Sequence, residues 1–333
     1  MNSFMSSNYI PKVSVIVPVY NTELYVERAI ISLMEQTLDD VQFIIIDDGS
    51  KDNSLNIIKQ VITRYPARQG QVTLISRENR GVAATRAQAM ELATGDYVIH
   101  LDSDDWAELN WLEALYTKAL EDNADVVVCD YRTIHPATST DVKQPIGKDG
   151  VDCVKKLLSG ELLGPTWNKL IKRKLLVDNN IRFLSDINFL EDFILVMQAF
   201  LAANAIGYVA QPLINYNQCN ESSITATVSE QKVNEIVSAT KIINEVLCQH
   251  QLVPALSEQF NTMKLRLKYW ILCSANKAAP DSFWGLYPEA NKHIWQSSLS
   301  IHVKTVLYIA SLKMFTVAQL IIHLVGLLKR IIK

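Results

Sequence analysis

The stretch Tyr97-Val-Ile-His-Leu-Asp-Ser-Asp-Asp-Trp106 decides how this chain is read. Tyr97, Val98, Ile99 and Leu101 predict a short buried strand, and it ends abruptly in three carboxylates, Asp102, Asp104 and Asp105. Carboxylates this close repel one another and raise their own pKa values unless a positive charge sits between them. A divalent cation meets that need, because hard oxygen ligands suit Mg2+ or Mn2+, ions that often hold phosphates as well. An acidic turn in which Asp102 or Asp105 caps the next helix accounts for the same residues. The sequence on the amino-terminal side favours the cation.

Upstream, Val13 to Val19 is a β-branched run of the kind buried on both faces of a sheet. Pro18 and Asn21 end it, and Val26, Ala29, Ile30, Leu33 and Met34 then recur at helical spacing. A second strand, Val41 to Ile46, runs into Asp47-Asp48-Gly49-Ser50, and Leu55, Ile58 and Ile62 mark the next helix. Val72 to Ile75 predicts a third strand, followed by Glu78-Asn79-Arg80-Gly81 and a helix from about Val82 to Ala93. The acidic strand is the fourth. Trp111, Leu112, Leu115 and Tyr116 belong to the helix after it, and Asp125 to Cys129 predicts a fifth strand. Strictly alternating strands and helices predict an α/β fold, a mostly parallel sheet flanked by helices in the Rossmann-like manner.

Four polar clusters follow the carboxyl ends of strands: Pro18-Val-Tyr20-Asn21, Asp47-Asp48-Gly49-Ser50, Asn79-Arg80-Gly81 and Asp102-Ser103-Asp104-Asp105. Open α/β sheets bind ligands along that edge. The chemistry of the clusters is complementary. Asp48 can accept a hydrogen bond from a nucleobase N–H, Gly49 and Gly81 let the backbone approach a ligand closely, and Arg86 can pair with phosphate oxygens. Taken singly, the same residues read as a plain turn and a surface charge.

These motifs resemble the family-2 glycosyltransferases of the GT-A fold. The resemblance is carried by Val-Ser-Val-Ile-Val-Pro-Val-Tyr-Asn (Val13 to Asn21), Ile-Asp-Asp-Gly-Ser (Ile46 to Ser50), Glu-Asn-Arg-Gly (Glu78 to Gly81) and Leu-Asp-Ser-Asp-Asp (Leu101 to Asp105). It covers about the first 130 residues. It implies inverting transfer of a sugar from a nucleotide diphosphate donor, a UDP-sugar, with Mg2+ or Mn2+ as cofactor. By position it implies Pro18, Tyr20 and Asp48 near base and ribose, Asp102 near the ribose, and Asp104 or Asp105 on the metal. Asn21, Asn79, Gly81, Arg86 and Ser103 complete the expected donor pocket.

Farther along, Arg132 to Gly150 is rich in Thr, Pro, Ser and Lys and reads as a loop or linker. Trp167-Asn168-Lys169-Leu170 and Ile181-Arg182-Phe183 precede Glu191-Asp192-Phe193, which opens an apolar helix to Ala203. The pair reads as caps at a helix N-terminus. The resemblance implies instead that Asp192, with Glu191 beside it, supplies the catalytic base, at a place where Gly usually stands in the position of Leu190. Pro212 to Tyr216 predicts an edge strand, and Asn220 to Thr227 a polar loop from which Ser223 and Thr225 can reach the diphosphate. Asn217 stands where Arg is usual.

The domain reading is 1–225 for the α/β unit, with a nucleotide-binding half at 10–131 and an acceptor and catalytic half at 150–225, and a helical region at 226–333. In 333 residues with 49% apolar content and a net charge of −3, nothing calls for a nucleic acid. Five dispersed cysteines and a polar stretch from Met1 to Tyr9 predict reduced thiols and a cytoplasmic setting. No acidic residue follows Glu289, and Met314 to Leu328 is apolar but shorter than the roughly 20 residues that span a bilayer. That segment suits peripheral contact with the inner face of a membrane, a helix docked on the protein's own core, or the interface of a homo-oligomer. The expected acceptor is a glycan or lipid-linked hydroxyl in surface polysaccharide or lipopolysaccharide synthesis. Two alternatives stay open: a nucleotide-sugar-binding protein without turnover, and a nucleotidyltransferase, although Pro18 to Glu23 lacks the glycine-rich basic loop of the latter.

Overall fold

The computed structural model describes residues 10–220, 228–274 and 285–331; Ser223 and Thr225 lie outside them. The chain divides into two compact units, Met1–Val154 with Leu163–Asn220, and Lys155–Leu162 with Glu221–Lys333.

The first unit is built on one sheet. Strands β1 (Val13–Val19), β2 (Val41–Asp47), β3 (Val72–Ser76) and β4 (Tyr97–His100) run parallel in the order β3-β2-β1-β4. Their residues are apolar on both faces because helices cover both. Helices α1 (Val26–Met34), α2 (Ser54–Arg64) and α3 (Val82–Leu92) make the connections, and α1 buries the five apolar positions expected of it. The parallel ladder of β1 and β4 covers Val13 to Ile16 only. Pro18 therefore lies beyond it, where its missing N–H costs no ladder bond.

The sheet continues through β5 (Trp106–Ala107), β6 (Val126–Ile134), β7 (Ser139–Val142), β8 (Lys169–Lys172) and β9 (Ile206–Asn217), in the order β4-β8-β6-β9-β5. Strand β8 is antiparallel to β4 and β6, β5 is antiparallel to β9, and β6 and β9 are parallel. Helix α4 (Trp111–Glu121) packs here, with Trp111 and Leu112 fully buried. Burying such a side chain contributes about 1.5–3 kcal/mol.

Three readings need correction. The fifth strand does not stop at Cys129, and Arg132 to Gly150 is not simply a linker. β6 runs to Ile134 and forms a hairpin with β7, in which Arg132 Nε donates to Asp141 Oδ1 at 2.6 Å. Its outer residues are exposed, so no apolar alternation marked it. Nor is the Pro212 strand an edge: β9 is internal, and Pro212 is accommodated at a register shift opposite Asp130.

Helices α5 (Gly150–Ser159), α6 (Arg173–Asp178) and α7 (Glu191–Ala202) complete this part of the chain. The second unit holds α8 (Glu230–Gln249), α9 (Val253–Ser274), α10 (Ile301–Ser311) and α11 (Phe315–Ile331). Its core gathers Leu265, Leu272, Ile294, Val306, Leu307 and Ala318. Phe315, Ile321 and Ile322 of α11 pack on that core. One side of the apolar terminal helix is thus a core face. Among the described residues no helix is long and apolar enough to cross a membrane.

Candidate functional site

The polar clusters at the ends of β1 to β4 are hydrogen-bonded to one another. Asn21, at φ 51°, donates its N–H to Ser50 Oγ (3.0 Å) and accepts from Lys51 N–H at its Oδ1 (2.7 Å). Thr22 Oγ1 donates to Ser103 Oγ at 3.0 Å, tying the first loop to the fourth. Asp47 accepts from Ser50 N–H (3.2 Å) and Ser76 Oγ (2.8 Å). Asp48 is buried and takes the N–H groups of Arg80 (3.0 Å) and Gly81 (2.9 Å), with the Arg77 guanidinium at 3.0 Å. Three of its roughly four acceptor positions are therefore in use. Asp48 organises the Asn79-Arg80-Gly81 loop.

Two glycines are required by this closeness. Gly49 has φ 77°, and a Cβ there would lie 2.8 Å from the backbone nitrogen of Asn79. Gly81 has φ 88°, and a Cβ would strike the side chain of Asn188, whose Oδ1 accepts from Ala83 N–H at 3.2 Å. Only glycine takes both the conformation and the space. Tyr20 and Asn79 are exposed at this edge, and Pro18 is half-buried.

Arg86 lies on the buried face of α3, beside Ala83 and Ala89. Its Nη2 donates to Asp102 Oδ1 at 2.7 Å, and its Nη1 pairs with Glu191 Oε1. The Phe183 ring lies 5.9 Å from the guanidinium and 5.3 Å from the ring of buried His100. The arginine read as a phosphate partner is thus held by two carboxylates, and it joins the acidic end of β4 to the first turn of α7. Burial lowers the Arg86 pKa, but Asp102, Glu191 and Asp192 outweigh it and keep the guanidinium charged. One cation shared by three carboxylates leaves a net negative cluster. Burial raises both Glu191 and Asp192 above the ordinary carboxylate range, and the two titrate together. Asp192 is half-buried, and its Oδ1 accepts from Phe193 N–H at 2.7 Å.

The remaining acids differ in setting. Asp104 is half-buried and accepts at Oδ2 from Asn220 Nδ2 (2.7 Å). Asp105 is fully buried, accepts at Oδ1 from Asn217 N–H (2.8 Å), and its Oδ2 has no hydrogen-bond partner. Burial raises both pKa values, and neighbouring carboxylates add to it. Among the described residues no three His, Cys, Asp or Glu side chains are arranged as a metal cage. Mg2+ and Mn2+ sites commonly use one or two carboxylates, with water and substrate phosphate completing the shell. An orphaned buried oxygen beside Asp102 and Asp104 fits such an ion, with Arg28 as a further positive neighbour.

Trp167-Asn168-Lys169 proves to be an anchor. Lys169 is fully buried, and its Nζ donates to Leu163 O (2.8 Å), Pro165 O (2.7 Å) and Asn168 Oδ1 (2.7 Å). Burial pushes its pKa down to about 7. Three acceptors nevertheless call for the ammonium, since a neutral amine has only two N–H donors. Asn168 Nδ2 also donates to Cys129 O (2.9 Å), which fixes the segment to β6.

Residues 14–178 match the profile of the family described as Glycosyl transferase family 2. This segment is a glycosyl transferase family 2 domain. EpsH of Bacillus subtilis is 32% identical over 213 residues, spanning 62% of this chain and 60% of that protein. A cholesterol galactosyltransferase of Borreliella burgdorferi is 34% identical over 212 residues, spanning 60% of this chain and 58% of its own length. The match thus spans about three-fifths of these relatives. S. aureus TarS 1–349, solved in complex with UDP-GlcNAc, aligns with a TM-score of 0.68 at 18% identity over 94% of this chain and 90% of that one. The family-2 domain therefore has the GT-A fold.

Within the family-2 site, sequence reasoning missed Arg77, Asn188 and Asn220, and did not assign His100 or Phe183. Each meets its partner across a gap in sequence, such as the 116 positions between Asp104 and Asn220. Only a polar residue in a loop beside the site could have signalled them.

Proposed function

We propose that the family-2 domain transfers a sugar, with inversion, from a UDP-sugar to a hydroxyl of a glycan or lipid-linked acceptor. The observation that carries this reading is the line Asp102–Arg86–Glu191, which links the end of the donor edge to the acidic helix start that bears Asp192. The UDP-GlcNAc complex of TarS supports a UDP-sugar donor, and the cholesterol galactosyltransferase supports a lipid hydroxyl among acceptors.

On this reading Tyr20 offers an exposed aromatic face to the nucleobase, while the Asp48-held loop and Asp102 shape the ribose and phosphate end. Asp192 accepts the proton of the acceptor hydroxyl as that oxygen bonds to the anomeric carbon and the bond to the diphosphate breaks on the opposite face. Glu191, paired with Arg86, fixes the first turn of α7 and so orients its neighbour. Asp104, with Asp105 beside it, would hold Mg2+ or Mn2+, which would supply positive charge to the diphosphate.

The test separates binding from chemistry. Asp192→Asn keeps the shape of the base and removes its basicity, so donor affinity by calorimetry stays near wild type while transfer falls about 10²–10⁴-fold. Retained transfer in Asp192→Asn together with loss in Glu191→Gln assigns the base to Glu191 and refutes the assignment to Asp192.

A further inference from the structure

Charge and apolar exposure are distributed unevenly along this chain, and both are concentrated at one end. The six charged residues after Glu289 are all basic: Lys292, Lys304, Lys313, Lys329, Arg330 and Lys333. With −3 overall, this end carries +6 and the rest of the chain −9. Among the described residues, half of the sixteen exposed large apolar side chains fall between Trp295 and Leu324.

Helix α11 has two apolar sides. Ala318, Ile321 and Ile322 face the core of the second unit. Val317, Leu320 and Leu324, at i, i+3 and i+7, form a stripe turned away from it and are 39%, 58% and 50% exposed. On α10, Tyr308 and Leu312 are likewise exposed, and the Tyr308 ring lies 5.5 Å from that of half-exposed Trp295. Tyr and Trp are the side chains favoured where one end meets apolar chains and the other meets water. Lys304 donates to Trp295 O at 3.2 Å, and exposed Lys313 lies between the helices. Among the described residues, a core face accounts for one side of α11 and nothing covers the other.

We propose that this outer face docks on an anionic lipid bilayer, with the apolar stripe of α11 at the headgroup boundary and the lysines on acidic headgroups. Charge complementarity selects this occupant. A second copy of the chain would bring two basic surfaces together, whereas an acidic bilayer satisfies the charge and covers the apolar side chains at once. The inference does not depend on which sugar is transferred, because the contact is read without donor or acceptor.

Truncation is the wrong test, since removing α11 would uncover Ala318 and its core neighbours. Instead, full-length protein is sedimented with vesicles of phosphatidylcholine alone and of phosphatidylcholine with phosphatidylglycerol. The protein pellets with the second and not the first, and 0.5 M salt releases most of it. Leu320→Glu with Leu324→Glu, both solvent-facing, lowers the bound fraction at least about ten-fold and leaves the thermal transition in place. Lys304→Gln with Lys313→Gln lowers it without touching an apolar residue. Two outcomes overturn the proposal: wild-type protein that pellets with neither vesicle, or one that is dimeric by sedimentation velocity and becomes monomeric in the Leu320→Glu, Leu324→Glu variant.

Discussion

Arg86 is the residue on which most of the site's electrostatics turns. It lies on a helix face that would otherwise be small and apolar, and it balances Asp102 and Glu191 directly and Asp192 through space. A base works only when ionised, so a raised Asp192 pKa places the acid limb of the transfer profile above the ordinary carboxylate range near pH 4. Arg86 lowers the pKa of both acids, so Arg86→Gln should move that limb to still higher pH. A kcat/KM profile measures this, and an unmoved limb contradicts the shared-cation account. The same variant should be destabilised most at alkaline pH, because Glu191, already held up to about 8, is then ionised and buried without its partner. That deficit shrinks on acidification. A group whose folded pKa is raised disfavours folding as pH climbs from its unfolded value towards its folded one, so protonating Glu191 restores balance.

At the scale of elements, the β-branched runs identified β1 to β4, and apolar spacing identified α1 and α4, because a face buried on a sheet imposes its own period on the sequence. The exposed β6–β7 hairpin lacks such a face and was legible only from its backbone pairing. The start of α7 was visible in Glu191-Asp192, but its strain was not. Leu190 sits at φ 67°, ψ 13°, a left-handed conformation that costs an L-residue about 1–2 kcal/mol. This explains why the family resemblance implies Gly there. Leu190→Gly relieves the strain but loses a half-buried side chain and frees the unfolded chain, so it should lie within about 1 kcal/mol of wild type. Leu190→Val should be worse than wild type by at least about 1 kcal/mol, because a β-branched residue fits that conformation poorly. Chemical denaturation of both variants decides it, and equal stability of Val and Leu here would refute the strain.

For the molecule as a whole, a ligand that binds only the folded family-2 domain raises its stability by mass action, about 2.7 kcal/mol at one hundred times Kd. UDP with Mn2+ should therefore raise the transition temperature by several degrees. Asp104→Ala should abolish the Mn2+-dependent part and leave the ligand-free transition close to wild type. A Mn2+-dependent shift that survives in Asp104→Ala removes that residue from the ion site. By itself the sequence determined the parallel half of the sheet, the four clusters on one edge and the acids of β4 and α7. Buried strands and sharp turns leave local, periodic marks that need no knowledge of distant neighbours. It also determined the basic, apolar end of the chain. Only tertiary structure decided that Arg86 pairs with Asp102 and Glu191, that Asp48 holds the third loop, that Lys169 is an internal anchor, and which side of α11 stays uncovered. Those facts depend on contacts between residues up to 105 positions apart. A charged side chain reads the same in sequence whether it meets water, a ligand or a buried partner. Folding chooses among the three by setting what surrounds it.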